Sequence, residues 1–173
     1  MNTTAYADLW TDTVNSVRQV RDMRSDECSV GRVFILRLEE GEILHEAVES
    51  FALANNVKAA TVTATGGADT GSKLTAGPKI PLSSSVVPLL YELDAPHELT
   101  GTGTIFQNAD GTPVMHMHCS CGREGKSVTG CARAGVKVWL VMEIVMIELS
   151  GSRSKRIKDK RSGFELLETD AEQ

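Results

Sequence analysis

Residues 99–121 have the sequence LTGTGTIFQNADGTPVMHMHCSC, in which a short polar turn separates two segments with strand character. The first segment, residues 99–107, ends in the apolar pair Ile105-Phe106, and the second, residues 114–121, alternates Met and Cys with His and Ser. The turn between them, residues 108–112, contains the Asp-Gly pair typical of hairpins. We therefore predict two antiparallel strands joined by this turn.

The segments on either side of this hairpin predict a mixture of helices and strands. Apolar residues recur at steps of three and four in residues 5–23 and 42–56, which is typical of amphipathic helices. Further strands are predicted at 32–38, 59–65, 86–93 and 136–149, and a surface loop at 73–85. The predicted class is α+β: a mixed, largely antiparallel sheet packed against helix, with an extra N-terminal helix.

The composition indicates one domain without general affinity for nucleic acid. A chain of 173 residues with 41% hydrophobic content can bury one continuous core. Because the net charge is −5, contact with a phosphate backbone would need a local basic patch. No apolar run reaches the roughly 20 residues that span a bilayer, and the N-terminus lacks a signal-peptide pattern. We therefore expect a cytoplasmic protein whose cysteines are reduced.

The strongest candidate for chemistry is the pair His116 and His118. Side chains two residues apart on a strand project from the same face, so the two imidazoles converge while Met117 points the other way. Histidine pairs bind zinc, nickel, copper and iron, and this spacing leaves room for a third protein ligand and water. The alternative is a pair of satisfied polar residues in a pocket or at a subunit contact.

Cys131 is the leading third ligand. It follows the turn-like sequence Val128-Thr129-Gly130, and a strand continuing past it could return its thiol to the histidine face. A nearby cation would stabilise the thiolate, which suits zinc binding and nucleophilic reactivity. The alternative is a small buried hydrophobic residue. Cys119 has the wrong parity for the histidine face and is expected in the core, as is Cys121.

Glu143 is the candidate catalytic residue. It interrupts the apolar run at 138–147, so we expect it to face a partner or a cavity. It could act as a general base on metal-bound water. The alternative is a structural ion pair with Arg123 or Arg133.

A different class of function rests on a basic cluster near the end of the chain. Its residues are Arg153, Lys155, Arg156, Lys158, Lys160 and Arg161. Such a cluster could contact phosphates. Charge runs are more often solvated faces, and no aromatic residues are interleaved here.

Short motifs along most of the chain carry a resemblance to a known family. In order they are Leu38-Glu39-Glu40-Gly41-Glu42, Thr65-Gly66-Gly67-Ala68, Gly103-Thr104-Ile105, Asp110-Gly111-Thr112-Pro113, His116-Met117-His118, Gly122-Arg123, Thr129-Gly130-Cys131, Val138-Trp139, Glu143, Asp159 and Ser162-Gly163-Phe164. Taken together, residues 31–167 resemble the plants and prokaryotes conserved (PPC) domain. That module is also found beside AT-hooks in plant nuclear proteins and in bacterial proteins described as DNA-binding.

The resemblance implies a homotrimer with a metal site at His116, His118 and the residue after Gly130. Many members of the family have histidine at that third place, whereas this chain has Cys131. The resemblance places the PPC-like domain at 31–168, with a helical extension at 1–30 before it. The polar residues at 169–173 are expected to form a frayed tail. AT-hook sequences are absent.

We therefore expect a homotrimer that binds a divalent transition metal, with zinc as the expected ion. A small-molecule ligand or a metal-bound water would lie near the subunit boundaries. If the protein is catalytic, metal-assisted hydrolysis or lyase chemistry is the natural class. The alternative function is a DNA-binding or transcription-related regulatory module acting through the C-terminal basic cluster.

Overall fold

Residues 24–80, 86–160 and 162–169 are the parts of the chain that the computed structural model describes, and they form ten strands and one α-helix. The strands are β1 (Ser29–Glu39), β2 (Ala59–Ala68), β3 (Lys73–Pro78), β4 (Pro88–Glu92), β5 (His97–Gln107), β6 (Pro113–Arg123), β7 (Lys126–Cys131), β8 (Val138–Ser150), β9 (Lys155–Lys158) and β10 (Glu165–Glu168). Helix α1 (Leu44–Ala54) follows β1, and a 3₁₀ turn (Ala132–Ala134) follows β7. No helix in these ranges has the length and apolar character needed to cross a membrane.

Eight strands form one sheet in the order β1-β8-β2-β5-β6-β7-β3-β4. Neighbouring strands in it pair antiparallel throughout. The predicted hairpin is confirmed as β5 and β6, in which Thr104 lies opposite His116 and Gly103 opposite Met117. β9 and β10 form a separate antiparallel hairpin.

The core lies between helix α1 and one face of the sheet. Leu44, Val48 and Ala52 recur at four-residue steps along α1, and all three are fully buried. Strand residues of one parity pack around them, including Met115 and Met117 of β6. The helix has no side-chain hydrogen bond at its N-cap. Burial of Leu44 and of Val48 contributes on the order of 2 kcal/mol each, and burial of Ala52 contributes less, so packing rather than capping stabilises α1.

The opposite side of the sheet, called here the open face, has no α-helix of the described residues over it. Its apolar side chains are exposed where β1 and β8 meet: Val33 by 58%, Ile35 by 82% and Val145 by 40%. Ile35 lies directly opposite Val145 in the β1–β8 ladder, so the exposed apolar surface is continuous across the two strands.

The predicted α+β class is wrong, because the described residues form a β-rich fold in which α1 is the single α-helix. The difference comes from strands that lack a hydrophobic pattern. β3 occupies part of the segment predicted as a loop, β9 lies within the basic cluster, and β10 lies just after it. β3 pairs with β4 and β7, and β9 and β10 pair with each other, so their strand character depends on partners that residue propensity alone does not identify. The predicted helix at 5–23 lies outside the described residues.

Candidate metal centre

The side chains of β6 alternate as the sequence predicts. Met115, Met117 and Cys119 are buried in the core, whereas His116 is half-buried and His118 is exposed on the open face. The two imidazole rings have centroids 5.0 Å apart and planes at 84° to each other. The strand therefore presents both histidines on one side of the sheet.

Cys131 reaches the same place from the end of β7. It pairs with His118 across the β6–β7 ladder and with Thr75 across the β3–β7 ladder. The close approach of β3 depends on Gly130, because a Cβ there would lie 2.7 Å from the Thr75 carbonyl oxygen. The possible ligand atoms of His116, His118 and Cys131 all lie within 4.8 Å of one another. The fold thus brings the three predicted ligands together.

The turn that returns the chain to this point is not the predicted one. Residues 128–130, which look turn-like in the sequence, belong to β7. The reversal occurs instead at Glu124 and Gly125, whose φ angles of 52° and 75° are those of a tight hairpin turn. Because β7 begins directly after this turn, its last residue comes level with His118.

The three donors fit a transition metal such as zinc. Two imidazole nitrogens and one thiolate are ligands that zinc takes in mixed Cys/His sites, and a fourth tetrahedral position stays open. Bond lengths of about 2.0–2.3 Å place tetrahedral ligand atoms about 3.4–3.7 Å apart. The observed separations, up to 4.8 Å, require only small side-chain rotations to reach that geometry.

Two arginines surround the site with positive charge. Arg156 donates a hydrogen bond to Thr104, the residue opposite His116, and Arg133 lies in the 3₁₀ turn after Cys131. Burial first, and then the charges of Arg133 and Arg156, lower the pKa of His116 to about 4. The ring is therefore neutral near pH 7, which is the form that coordinates a metal.

His116 and Cys131 open into a pocket of about 610 Å³. Its polar wall includes Thr75, Thr104, Arg133, Glu165 and Arg156. Its apolar wall comes from the β9–β10 side and includes Phe164, Leu166 and Leu167. The candidate metal ligands thus stand at the edge of a space large enough for a small molecule.

Glu143 stands apart from this cluster within one chain. The run at 138–147 is buried at alternate positions only, and Glu143 occupies an exposed one on the open face. It lies opposite Arg37 and Thr65, and two strands separate β8 from β6. At about 4.8 Å per strand, the distance to the histidine strand is roughly 14 Å. Among the described residues, neither Arg123 nor Arg133 forms an ion pair with it.

The structure divides the C-terminal basic cluster. Arg156 is only 4% exposed and points into the pocket, whereas Lys158 and Lys160 are exposed. Arg153 is exposed and lies 3.9 Å from the Asp26 carboxylate. Lys155 is half-buried, and Arg161 lies outside the described residues. The six charges therefore do not form one exposed face.

Cys119 and Cys121 lie in the core, as their parity predicts. The hydrogen bond between the two side chains, followed by burial, raises the pKa of the Cys119 thiol. This thiol is therefore protonated at neutral pH and is no metal ligand in that form. Cys28 is exposed and distant in sequence from the site.

Sequence reasoning missed the role of Arg156 and of β10 in forming the pocket. A local signal existed: residues 155–158 and 164–167 flank a polar turn containing Gly163, a pattern typical of a hairpin. The structure contains that hairpin as β9 and β10, in which Arg156 lies opposite Leu167. What the sequence could not show is that the hairpin packs beside β5 and β6.

A β-rich domain with two histidines and a cysteine clustered on one sheet face is the class of protein that these observations define. The family model of the Plants and Prokaryotes Conserved (PCC) domain matches residues 25–150. The chain belongs to this family, and the resemblance drawn from its sequence is confirmed.

Solved structures share the fold over most of the chain. A plant- and prokaryote-conserved protein of Pyrococcus horikoshii is 26% identical with a TM-score of 0.73, covering 87% of this chain and 100% of its own. The metal-containing protein of Archaeoglobus fulgidus is also 26% identical, with a TM-score of 0.71 and coverage of 83% and 98%. A candidate DNA-binding protein of Bacteroides thetaiotaomicron is 15% identical, with a TM-score of 0.68 and coverage of 83% and 99%, a likeness that concerns the fold alone. No curated protein sequence matches the chain.

Proposed function

We propose that this protein binds a divalent transition metal, with zinc preferred, through His116, His118 and Cys131. The observation that carries the proposal is the approach of their three donor atoms to within 4.8 Å, from two different strands. Zinc is favoured over harder ions because nitrogen and thiolate donors suit a borderline-soft cation. The relative from Archaeoglobus fulgidus, described as metal-containing, supports the same conclusion.

The metal would polarise a bound water or a ligand at its fourth position. The side chains of the pocket determine what can reach that position. His116 is held neutral and ready to coordinate by its burial and by the neighbouring arginines. Because Glu143 is roughly three strand spacings from β6, it could move a proton at this site only if a neighbouring subunit supplied it.

The active assembly in this proposal is a homotrimer. The open face exposes Ile35, Val33 and Val145, an apolar surface that a second copy of the chain would cover. His118 lies on the same face, so association would also remove its exposed side from water. Pockets near subunit boundaries would then be the places where a small ligand binds.

Metal analysis of purified variants tests the proposal directly. We expect stoichiometric zinc by mass spectrometry in the wild-type protein, and loss of most of it in His116→Ala, His118→Ala and Cys131→Ala. His97→Ala is the matched control, since this histidine lies on β5 and contacts the Ala95 carbonyl oxygen 2.8 Å away instead of the cluster. If the wild-type protein takes up no metal on reconstitution, the proposal fails and the cluster has a structural role only.

The alternative, DNA binding, has less support from the charge distribution. Arg156 is buried, which leaves Arg153, Lys158 and Lys160 exposed in the described part of the cluster, on a chain of net charge −5, and Arg153 already lies 3.9 Å from the Asp26 carboxylate. DNA binding through this cluster would weaken steeply with salt and on replacing both lysines with glutamine. Absence of binding at low ionic strength excludes it.

A further inference from the structure

Arg156 is a buried cation that has no salt-bridge partner among the described residues. It is 4% exposed, donates from Nη2 to Thr104 Oγ1 at 3.1 Å and from Nε to the Val114 carbonyl oxygen at 3.4 Å, and lies 6.0 Å from the centre of the Phe106 ring. These partners fix the guanidinium in place. All of them are neutral, so none compensates its charge.

No described residue compensates the charge of Arg156 through a direct ion pair. No carboxylate there forms a salt bridge with it, and no partner faces its Nη1 group. Burial, and then the charge of Arg133, lower its pKa from the ordinary value, and the charges of Glu165 and Cys131 offset this lowering only in part. Buried charges are normally paired, so an arginine held this way is a ready site for an anion.

The space in front of Arg156 is the pocket that contains His116 and Cys131. Among the described residues that line it, Arg133 adds a second cation and Glu165 is the one carboxylate, so two positive charges face one negative charge. Glu165 also lies opposite Lys158 in the β9–β10 ladder, which partly compensates it. The electrostatic balance of the pocket therefore favours anions.

The other wall of the pocket is apolar and exposed. Phe164, Leu166 and Leu167 are 44%, 46% and 43% exposed, and all three line the pocket. A ligand with an apolar body would remove this surface from water while its anionic group met the arginines. An inorganic anion would use only the charged half of the pocket.

We propose that this pocket binds a small organic anion, whose carboxylate or phosphate group pairs with Arg156 and Arg133 while its apolar part lies against Phe164, Leu166 and Leu167. One part of this inference rests on the proposed function: the anion would lie beside the metal held by His116 and Cys131. Arg156, with its planar array of donors, is suited to grip two oxygens of one anionic group.

Matched probes test the charge requirement. Phenylacetate and phenylacetamide share an apolar ring and differ in charge, and inorganic phosphate carries charge without the ring. In calorimetric titrations of the zinc-loaded protein we expect phenylacetate to bind about tenfold more tightly than phenylacetamide, because a charge-assisted hydrogen bond of this kind is worth at least a factor of ten. Phosphate should bind more weakly than phenylacetate and compete with it.

Variants of the two arginines distinguish their contribution to anion binding from that of the metal. Arg156→Gln should abolish the preference for phenylacetate over phenylacetamide while stoichiometric zinc is retained, because burial still keeps His116 neutral. Arg133→Gln, at an exposed position that tolerates substitution, should reduce that preference, and it keeps the test valid if Arg156→Gln does not fold. Arg37→Gln is the control, since it removes an exposed guanidinium from β1 at the far side of the sheet.

The proposal is overturned if neither phenylacetate nor phosphate binds. It is also overturned if the preference survives in both pocket variants, since the metal alone would then hold the anion. Zinc content, measured on every sample, reports separately on the metal. If the wild type takes up no zinc yet still prefers phenylacetate through Arg156, the metal proposal fails and the anion pocket stands.

Discussion

Cys131 and His118 face each other across the β6–β7 ladder, so two of the three candidate ligands come from neighbouring strands and the third, His116, from two positions away on β6. The thiol is therefore positioned by strand pairing and by the absence of a side chain at Gly130. A site assembled in this way depends on the β7 strand being in register.

Cobalt substitution tests whether the Cys131 sulfur is a metal ligand. We expect cobalt-loaded wild-type protein to show a thiolate-to-metal charge-transfer absorption, and Cys131→Ser to lose it. Cys131→His should keep bound metal, because it restores the ligand found at this place in many family members, but without that absorption. Cys28→Ser, at an exposed position, serves as the control and should keep the band. If the band persists in Cys131→Ser, another cysteine is the thiolate ligand and the prediction is wrong.

A second prediction concerns the glycine opposite Met117. A Cβ on Gly103 would lie 2.4 Å from the His116 carbonyl oxygen and 2.6 Å from Met117 Cα. Gly103→Ala must therefore push β5 and β6 apart, and we expect it to lower the free energy of unfolding by about 1–3 kcal/mol, the usual cost of overpacking. Because the displaced strand carries His116, zinc affinity should fall as well.

The control for this substitution is Gly122→Ala on β6. A Cβ there has its nearest neighbour, the Lys126 carbonyl oxygen, at 3.8 Å, which is ordinary contact. Urea unfolding of metal-free protein should show a change within about 0.5 kcal/mol for Gly122→Ala. Equal effects of the two alanines would mean that the loss arises from strand propensity and not from the close approach.

These glycines show how much of the site the sequence could predict. Alternation along β6 was sufficient to place His116 and His118 on one face and Cys119 in the core, because a strand has a period of two. It could not place Cys131, since that depends on which residue of β7 lies opposite His118. Residues 128–130 looked like a turn because Thr and Gly are common in turns, yet Gly130 is there to let β3 approach.

The fold class was missed for a related reason. Helix α1 and the apolar strands have periodic patterns that identify them locally. β3 has none and is a strand because β4 and β7 pair with it, whereas β9 and β10 have only the hairpin signal around Gly163. Arg156 illustrates the consequence: in the sequence it belongs to a basic run, whereas the packing of β9 buries its side chain beside Thr104.

A third prediction concerns the ion pair that fixes the start of β1. Arg32 Nε and Nη2 each lie 2.8 Å from a different oxygen of Glu148, and Nη2 also donates to the Asn55 carbonyl oxygen. Lysine cannot reproduce this forked contact, so we expect Arg32→Lys to reduce stability by about 1 kcal/mol. Arg37→Lys is the control, because Arg37 and Glu39 are both more than 60% exposed and such pairs contribute little. Indistinguishable melting temperatures of the two variants would contradict the prediction.

A fourth prediction concerns the apolar surface of the open face. Ile35 is 82% exposed in the isolated chain, and in a trimer a charge at this position would have to be buried. Ile35→Lys should therefore shift the mass measured by analytical ultracentrifugation from three chains towards one. Leu53→Lys provides the comparison, since Leu53 is 62% exposed but lies on α1, away from the open face. A trimer that persists in Ile35→Lys would place the interface elsewhere.

The fifth prediction is a pH dependence that arises from Asp26. Its Oδ2 accepts hydrogen bonds from Ser152 Oγ (2.7 Å), Ser154 Oγ (2.9 Å) and the backbone N–H groups of Arg153 (2.8 Å) and Ser154 (3.1 Å). These bonds, led by the two serine hydroxyls, lower the pKa of Asp26 from 3.8 to about 2. Because the pKa is lower in the folded state, ionised Asp26 stabilises the fold above about pH 4, and this contribution is lost as the pH falls towards 2.

Asp26→Asn should consequently be less stable than the wild type near neutral pH, with the difference shrinking below about pH 4. Urea midpoints of the metal-free proteins across that range avoid loss of bound metal on acidification. His116, whose pKa is about 4, is present in both proteins, so its contribution cancels in the difference. Glu40→Gln, in the exposed turn after β1, is the control for loss of a surface carboxylate. A difference between Asp26→Asn and the wild type that did not change with pH would contradict the prediction. It would mean that the charge of Asp26 contributes nothing to holding residues 24–28 against the turn after β8.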